Sequence, residues 1–182
     1  MTTEENYYLT VLSPIDYRRG RDPSRLAELE QTLATTAGPF ASIATVHMAR
    51  FLVIDEIPIQ MGNPRSDQLQ SKYLLFIAEL DGEPGAFLNE VYNTDRDFIA
   101  KTWGNCLGLD AHFDSPAFQH YITAHSVETT LPYSAYPGAT QQHIAHALAT
   151  RERLTNFIVD HQTSSAADLF ASWQQFERGL GD

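Results

Sequence analysis

The first run of apolar positions is Tyr7-Tyr8-Leu9-Thr10-Val11-Leu12, aromatic and β-branched, closed by Ser13-Pro14. It predicts a strand. Asp22-Pro23 then supplies a helix cap and a first-turn proline, Leu26, Leu29 and Leu33 recur at helical spacing, and Gly38-Pro39 ends the segment. Residues 45–55 predict a second strand. A regular pleat puts Val46, Met48, Arg50, Leu52 and Ile54 on one face, and His47, Ala49, Phe51 and Val53 on the other. Residues 73–80, Tyr-Leu-Leu-Phe-Ile-Ala-Glu-Leu, are apolar on both sides and predict a central strand that ends at Asp81-Gly82. Phe87 to Trp103 carry a broken or bent helical periodicity, and Ser115-Pro116 opens a short helix through Phe118 and Tyr121. Residues 127–136 predict a fourth strand, placed at a sheet edge because Pro132 has no amide to donate to a ladder. Thr140 caps a long helix through Ile158, and after the linker Thr163-Ser164-Ser165 a short amphipathic helix carries Leu169, Phe170, Trp173 and Phe176.

The order β-α-β-β-α-β predicts an α+β fold: a ferredoxin-like split βαβ sandwich with a four-stranded antiparallel sheet and additional C-terminal helices. An α+β domain with another strand order is the competing expectation. The division expected is residues 1–162 as the α+β domain with its helical additions and 163–182 as a C-terminal helix of the same domain.

Composition narrows the partners. The 182 residues hold 23 acids against 12 Lys and Arg, a formal charge of −11, so phosphate backbones and anionic membranes are repelled at long range. No apolar run approaches the roughly 20 residues of a membrane span. The polar, acidic start is unlike a signal peptide, and a single cysteine, Cys106, allows no intrachain disulfide. A cytoplasmic protein is the expectation, without nucleic-acid or membrane partners.

The candidate chemistry centres on His47. If the second and third strands pair about the middle of their connection, near Asn63-Pro64, His47 falls opposite Leu80, within two positions. Glu79 and Asp81 are then both candidates to bond its ring. A carboxylate fixes an imidazole's tautomer and prepares it as a general base or as a metal or haem ligand. The same pair is also a common way to tie a strand to a loop. Arg50 lies on the opposite face from His47 unless a bulge intervenes, and pairs either with a helix acid or with a substrate carboxylate. Arg18, Arg19, Arg21 and Arg25 surround a helix start without the glycine spacing of a phosphate loop, and so fit a solvated loop better than an anion site. Tyr133 and Tyr136, with Tyr7-Tyr8, are either cavity-lining aromatics for an amphipathic ligand or core and interface residues. His143 and His146 stand three apart with no further ligand at metal spacing, so no metal site is assigned. Cys106 reads as buried.

Four short motifs resemble a poorly characterised family of bacterial proteins: His47-Met48-Ala49-Arg50 (H-x-A-R), Asp81-Gly82, Trp103-x-x-Cys106-x-Gly108, and Tyr133-x-Ala135-Tyr136-Pro137-x-x-Thr140. Thr10-Val11-Leu12-Ser13-Pro14-Ile15 is similar too, and the likeness spans about residues 9–145. It implies a ferredoxin-like fold, at times beside oxidoreductase-type domains, and brings no defined reaction. The connection at residues 56–71 is longer than in that pattern and suits a lid or a partner contact.

Two functional expectations follow. In one, the protein binds, and transforms by oxidation, isomerisation or proton transfer, a small amphipathic molecule or a haem-type cofactor. His47 is its base or ligand, oriented by Asp81 or Glu79, and Arg50, Tyr133 and Tyr136 are substrate-binding. In the other it is a non-catalytic homodimeric binding or assembly module.

Overall fold

A computed structural model describes residues 6–17, 24–57, 67–109 and 112–179. The chain divides into two compact units, residues 1–138 and 139–182. The first is a mixed α+β unit whose three strands are β1 (Asn6–Pro14), β2 (Val46–Ile57) and β3 (Asp67–Asp81). They form an antiparallel sheet in the order β1-β3-β2. β3 is central, as a strand apolar on both faces must be. Leu74, Phe76, Ala78 and Leu80 alternate into the core, while Tyr73, Leu75, Ile77 and Glu79 face the other way and are half-buried.

The helices of this unit are α1 (Ser24–Thr35), α2 (Pro84–Thr94), α3 (Arg96–Thr102) and α4 (Ser115–Ala124). Each buries apolar residues in the one core: Leu29 from α1, Phe87, Leu88 and Val91 from α2, Phe98 and Ile99 from α3, Phe118 and Ile122 from α4. The broken or bent helical region expected before Trp103 is broken, into two helices. Asp95 ends α2 and caps α3, its carboxylate accepting from the Phe98 amide at 2.8 Å. The core is dense in aromatics. Phe76 meets Phe51 at 4.7 Å and Trp103 at 5.4 Å between ring centroids, and Phe40 meets Phe98 edge to face at 5.8 Å.

The expected fourth strand is absent among the described residues. Beside β1 the chain makes one bridge, Val11 to Ser126, with hydrogen bonds from the Leu12 amide to the His125 carbonyl and from the Val127 amide to the Thr10 carbonyl. The Thr129 hydroxyl, donating to the Tyr8 carbonyl at 3.4 Å, continues the contact, and the Ser134 hydroxyl sits beside that of Tyr8, but no backbone ladder is formed. Pro132 interrupts any ladder beyond it. Leu131 and Tyr133 are 86% and 84% exposed, so no apolar burial holds this stretch against an edge. The sheet is thus three-stranded rather than four-stranded, with residues 125–127 lying where a fourth strand begins.

The long connection is also shorter than expected. Glu56 pairs with Gln68 and Ile57 with Asp67, and the Gln68 amide donates to the Glu56 carboxylate at 2.9 Å. Both strands of the hairpin run past residues 56 and 71, and the remaining connection at 58–66 lies outside the described residues.

The second unit holds α5 (Gln141–Asp160) and α6 (Ala166–Arg178). Thr140 and Ser165 cap them through their hydroxyls. Phe157 packs against Trp173 and Phe176 at 5.7 and 4.8 Å. No described helix is long and apolar enough to cross a membrane.

Candidate functional site

Local irregularity in β2 creates the site. Val46 pairs with Leu80 and Met48 with Glu79, so His47 is the extra residue of a β-bulge. A regular pleat puts Val46 with Met48. The bulge instead turns Val46 onto the core with Ala49, Phe51 and Val53. Met48, Arg50 and Leu52 lie across the ladder from Glu79, Ile77 and Leu75, on the face away from the core. The same bulge brings His47 to the Asp81 side of the sheet, because two residues of β2 now share one position opposite β3.

The His47 ring meets Asp81: Nε2 lies 2.6 Å from Oδ1, with side chains only 11% and 7% exposed. A carboxylate accepts and does not donate, so Nε2 carries a proton and Nδ1 is the nitrogen left for other chemistry. Asp81 is held by its amide donating to the Thr45 carbonyl at 2.8 Å. Gly82 follows at φ +76°, a left-handed turn that a side chain rarely adopts, and takes the chain away from the carboxylate.

Glu79, the other candidate partner, serves a different residue. Its carboxylate accepts from Asn6 Nδ2 at 3.0 Å. Asn6 stands opposite Asp81, and Tyr8 opposite Glu79. Removal from water, and next the Glu79 charge, hold the Tyr8 hydroxyl above its ordinary pKa, and the Ser134 hydroxyl sits beside it. Asn6 Oδ1 is buried without a hydrogen-bond partner among the described residues. Asn6 was not legible as a site residue, since only the β1–β3 register places it at Asp81.

The outer face is therefore graded. Its polar end holds His47, Asp81, Asn6, Glu79 and Tyr8. The next cross-strand row is Thr10, Ile77 and Arg50, followed by Leu12, Leu75 and Leu52, then Pro14, Tyr73 and Ile54. Met48 and Leu52 are 41% and 42% exposed. Beside the polar end, a groove of about 840 Å³ runs along the β1 edge, lined among others by Asn6, Tyr8, Glu83, Glu128 and Pro132.

Tyr133 and Tyr136 are 84% and 68% exposed, flanking Ser134, whose hydroxyl lies beside that of Tyr8. Arg25 is tied to structure, donating to the Gly104 carbonyl at 2.8 Å and pairing with Asp16 at 3.7 Å, while Arg18, Arg19 and Arg21 lie outside the described residues. Cys106 is buried, and burial pushes its thiol up to about 12, so it carries no nucleophile at neutral pH.

The arrangement offers a base or hydrogen-bond acceptor at Nδ1, oriented by Asp81, at the polar end of a face whose farther rows are apolar. For a haem-type group it is less apt. The nitrogen farther from the backbone is engaged, and a macrocycle on Nδ1 crowds the strand. A scan against protein-family models finds none that matches this chain, and searches of curated proteins and of solved structures return no match.

Proposed function

We propose that the protein binds a small amphipathic molecule on the outer face of its sheet, with His47 Nδ1 as the general base or principal hydrogen-bonding atom. Asp81 is its orienting partner. The observation that supports this best is the bulge that spends an extra residue of β2 on a 2.6 Å imidazole–carboxylate pair at the polar end of an apolar face. Proton transfer on the bound molecule, as in an isomerase- or oxidoreductase-type reaction, is the chemistry this pair suits. In this reading the sheet is a ferredoxin-like split βαβ layer whose fourth member is reduced to residues 125–127, in keeping with the family resemblance, and the protein works in the cytoplasm.

The test uses native mass spectrometry of freshly purified protein, with an absorption spectrum to detect a Soret band. A retained small molecule, lost in His47→Gln, supports the proposal. Glutamine still donates to Asp81, so stability stays within about 1 kcal/mol while the base is gone. A bound molecule unaffected by the substitution, or a chain that never carries or takes up a ligand, defeats it.

A second reading has its own observation. Met48 and Leu52 present apolar surface to solvent on a face with no helix of the first unit across it. That face would then pair with a second copy in a non-catalytic homodimer. Clean dimers that bind no small molecule would favour this alternative.

A further inference from the structure

We infer that the ligand of the outer face is an amphipathic anion: a carboxylate held by Arg50, with its aliphatic or aromatic body over Leu12, Leu75 and Leu52. This rests on the proposal that the face takes a small molecule, and it names the class. Arg50 is the residue that argues for it. Among the described residues of the first unit, every other Arg or Lys has a protein partner. Arg25 has Asp16 and Gly104, Lys72 has Asp55, Arg96 donates to the Phe113 carbonyl, and Lys101 pairs with Asp97. Arg50 has no hydrogen bond or ion pair with any described residue, in a chain where 23 acids compete for 12 bases.

The carboxylates on the β3 side of its face toward His47 are engaged elsewhere, Asp81 with His47 and Glu79 with Asn6. The guanidinium fork is left for a ligand, and a carboxylate matches its geometry with two parallel hydrogen bonds. Its position sets the ligand's direction. Arg50 stands in the row between the polar end and the apolar rows, opposite Ile77. From there to Ile54 the strand runs four residues, about 13 Å at ~3.3 Å each, the length of an extended chain of about ten carbons. A head on Arg50 puts the ligand's next polar group toward His47 Nδ1 and its body toward Leu52 and Leu75. The opposite class, an amphipathic cation anchored by Glu79 and Asp81, would have to break the two hydrogen bonds those carboxylates already accept.

Titration calorimetry of the full chain with decanoate, decylamine and decanol decides between them. Decanoate is expected to bind at least tenfold more tightly than either other probe. Arg50→Gln should weaken decanoate at least tenfold and leave decanol unchanged, without a shift in melting temperature, since Arg50 is exposed and unpartnered. Leu52→Ser should weaken decanoate and decanol alike, locating the body on the apolar rows. Decylamine binding as tightly as decanoate overturns the inference, as does decanoate binding that ignores Arg50→Gln, while the small-molecule proposal survives both results. Failure of all three probes, together with no retained ligand in the native mass spectrum, defeats the small-molecule proposal itself.

Discussion

Breaking the His47–Asp81 pair is the sharpest test of the site's geometry. The contact is 2.6 Å long and joins side chains about nine-tenths buried. A hydrogen bond to a charged group in such surroundings contributes about 1.5–3 kcal/mol, against ~0.2–1 kcal/mol for an exposed ion pair. A double-mutant cycle of His47→Ala, Asp81→Ala and the double variant should give a coupling in the upper range. The cycle is needed because Asp81 has a further interaction that its own truncation also removes. Urea denaturation is the assay. The chain has two tryptophans, and in a Trp173→Phe background the fluorescence of the buried Trp103 reports the first unit alone. The coupling should survive 1 M salt, since a buried pair is screened far less than a surface pair. A coupling below ~0.5 kcal/mol would refute the reasoning, because a contact this short and this enclosed cannot be energetically silent.

Other consequences follow from the core and the turn. Phe76→Ala removes a ring that is 1% exposed and touches Phe40, Phe51 and Trp103, and should cost about 3–5 kcal/mol by urea denaturation. Gly82→Ala meets no atom within 4 Å but sits at φ +76°, so its loss of about 1–2 kcal/mol is backbone strain alone. Cys106 stays protonated in the fold to about 12, whereas an unfolded thiol ionises near pH ~8.5. Its contribution to stability is therefore complete below that pH and falls as pH rises, by about 2 kcal/mol at pH 10. Cys106→Ala should flatten stability against pH between roughly 8.5 and 10, and iodoacetamide should label the native thiol only as fast as the core opens.

Much of the fold is local chemistry and was legible. Ser13-Pro14, Asp81-Gly82 and Ser115-Pro116 punctuate the chain, and apolar periods of two or about three and a half separate strands from helices between them. The apolar run of β3 implied a central strand because only a buried position tolerates apolar residues on both faces. Register was legible nearly as far, since a hairpin pairs about its middle. That placed His47 within two positions of Leu80, with Glu79 and Asp81 as the choices.

Tertiary structure decided what remained, wherever the answer depended on how two distant segments share hydrogen bonds. Nothing in Val46-His47-Met48-Ala49 marks a bulge, with no glycine to absorb it. Yet that one extra residue selected Asp81 over Glu79 and turned Val46 inward. Asn6 entered the site only through the pairing of β1 with β3, 75 positions away along the chain at Asp81. Residues 127–136 have the composition of a strand, but a strand exists only where a neighbour takes its hydrogen bonds and its apolar side chains find cover. Past Val127 no ladder forms and Leu131 and Tyr133 stay exposed, which is why composition alone overcounted the sheet by one.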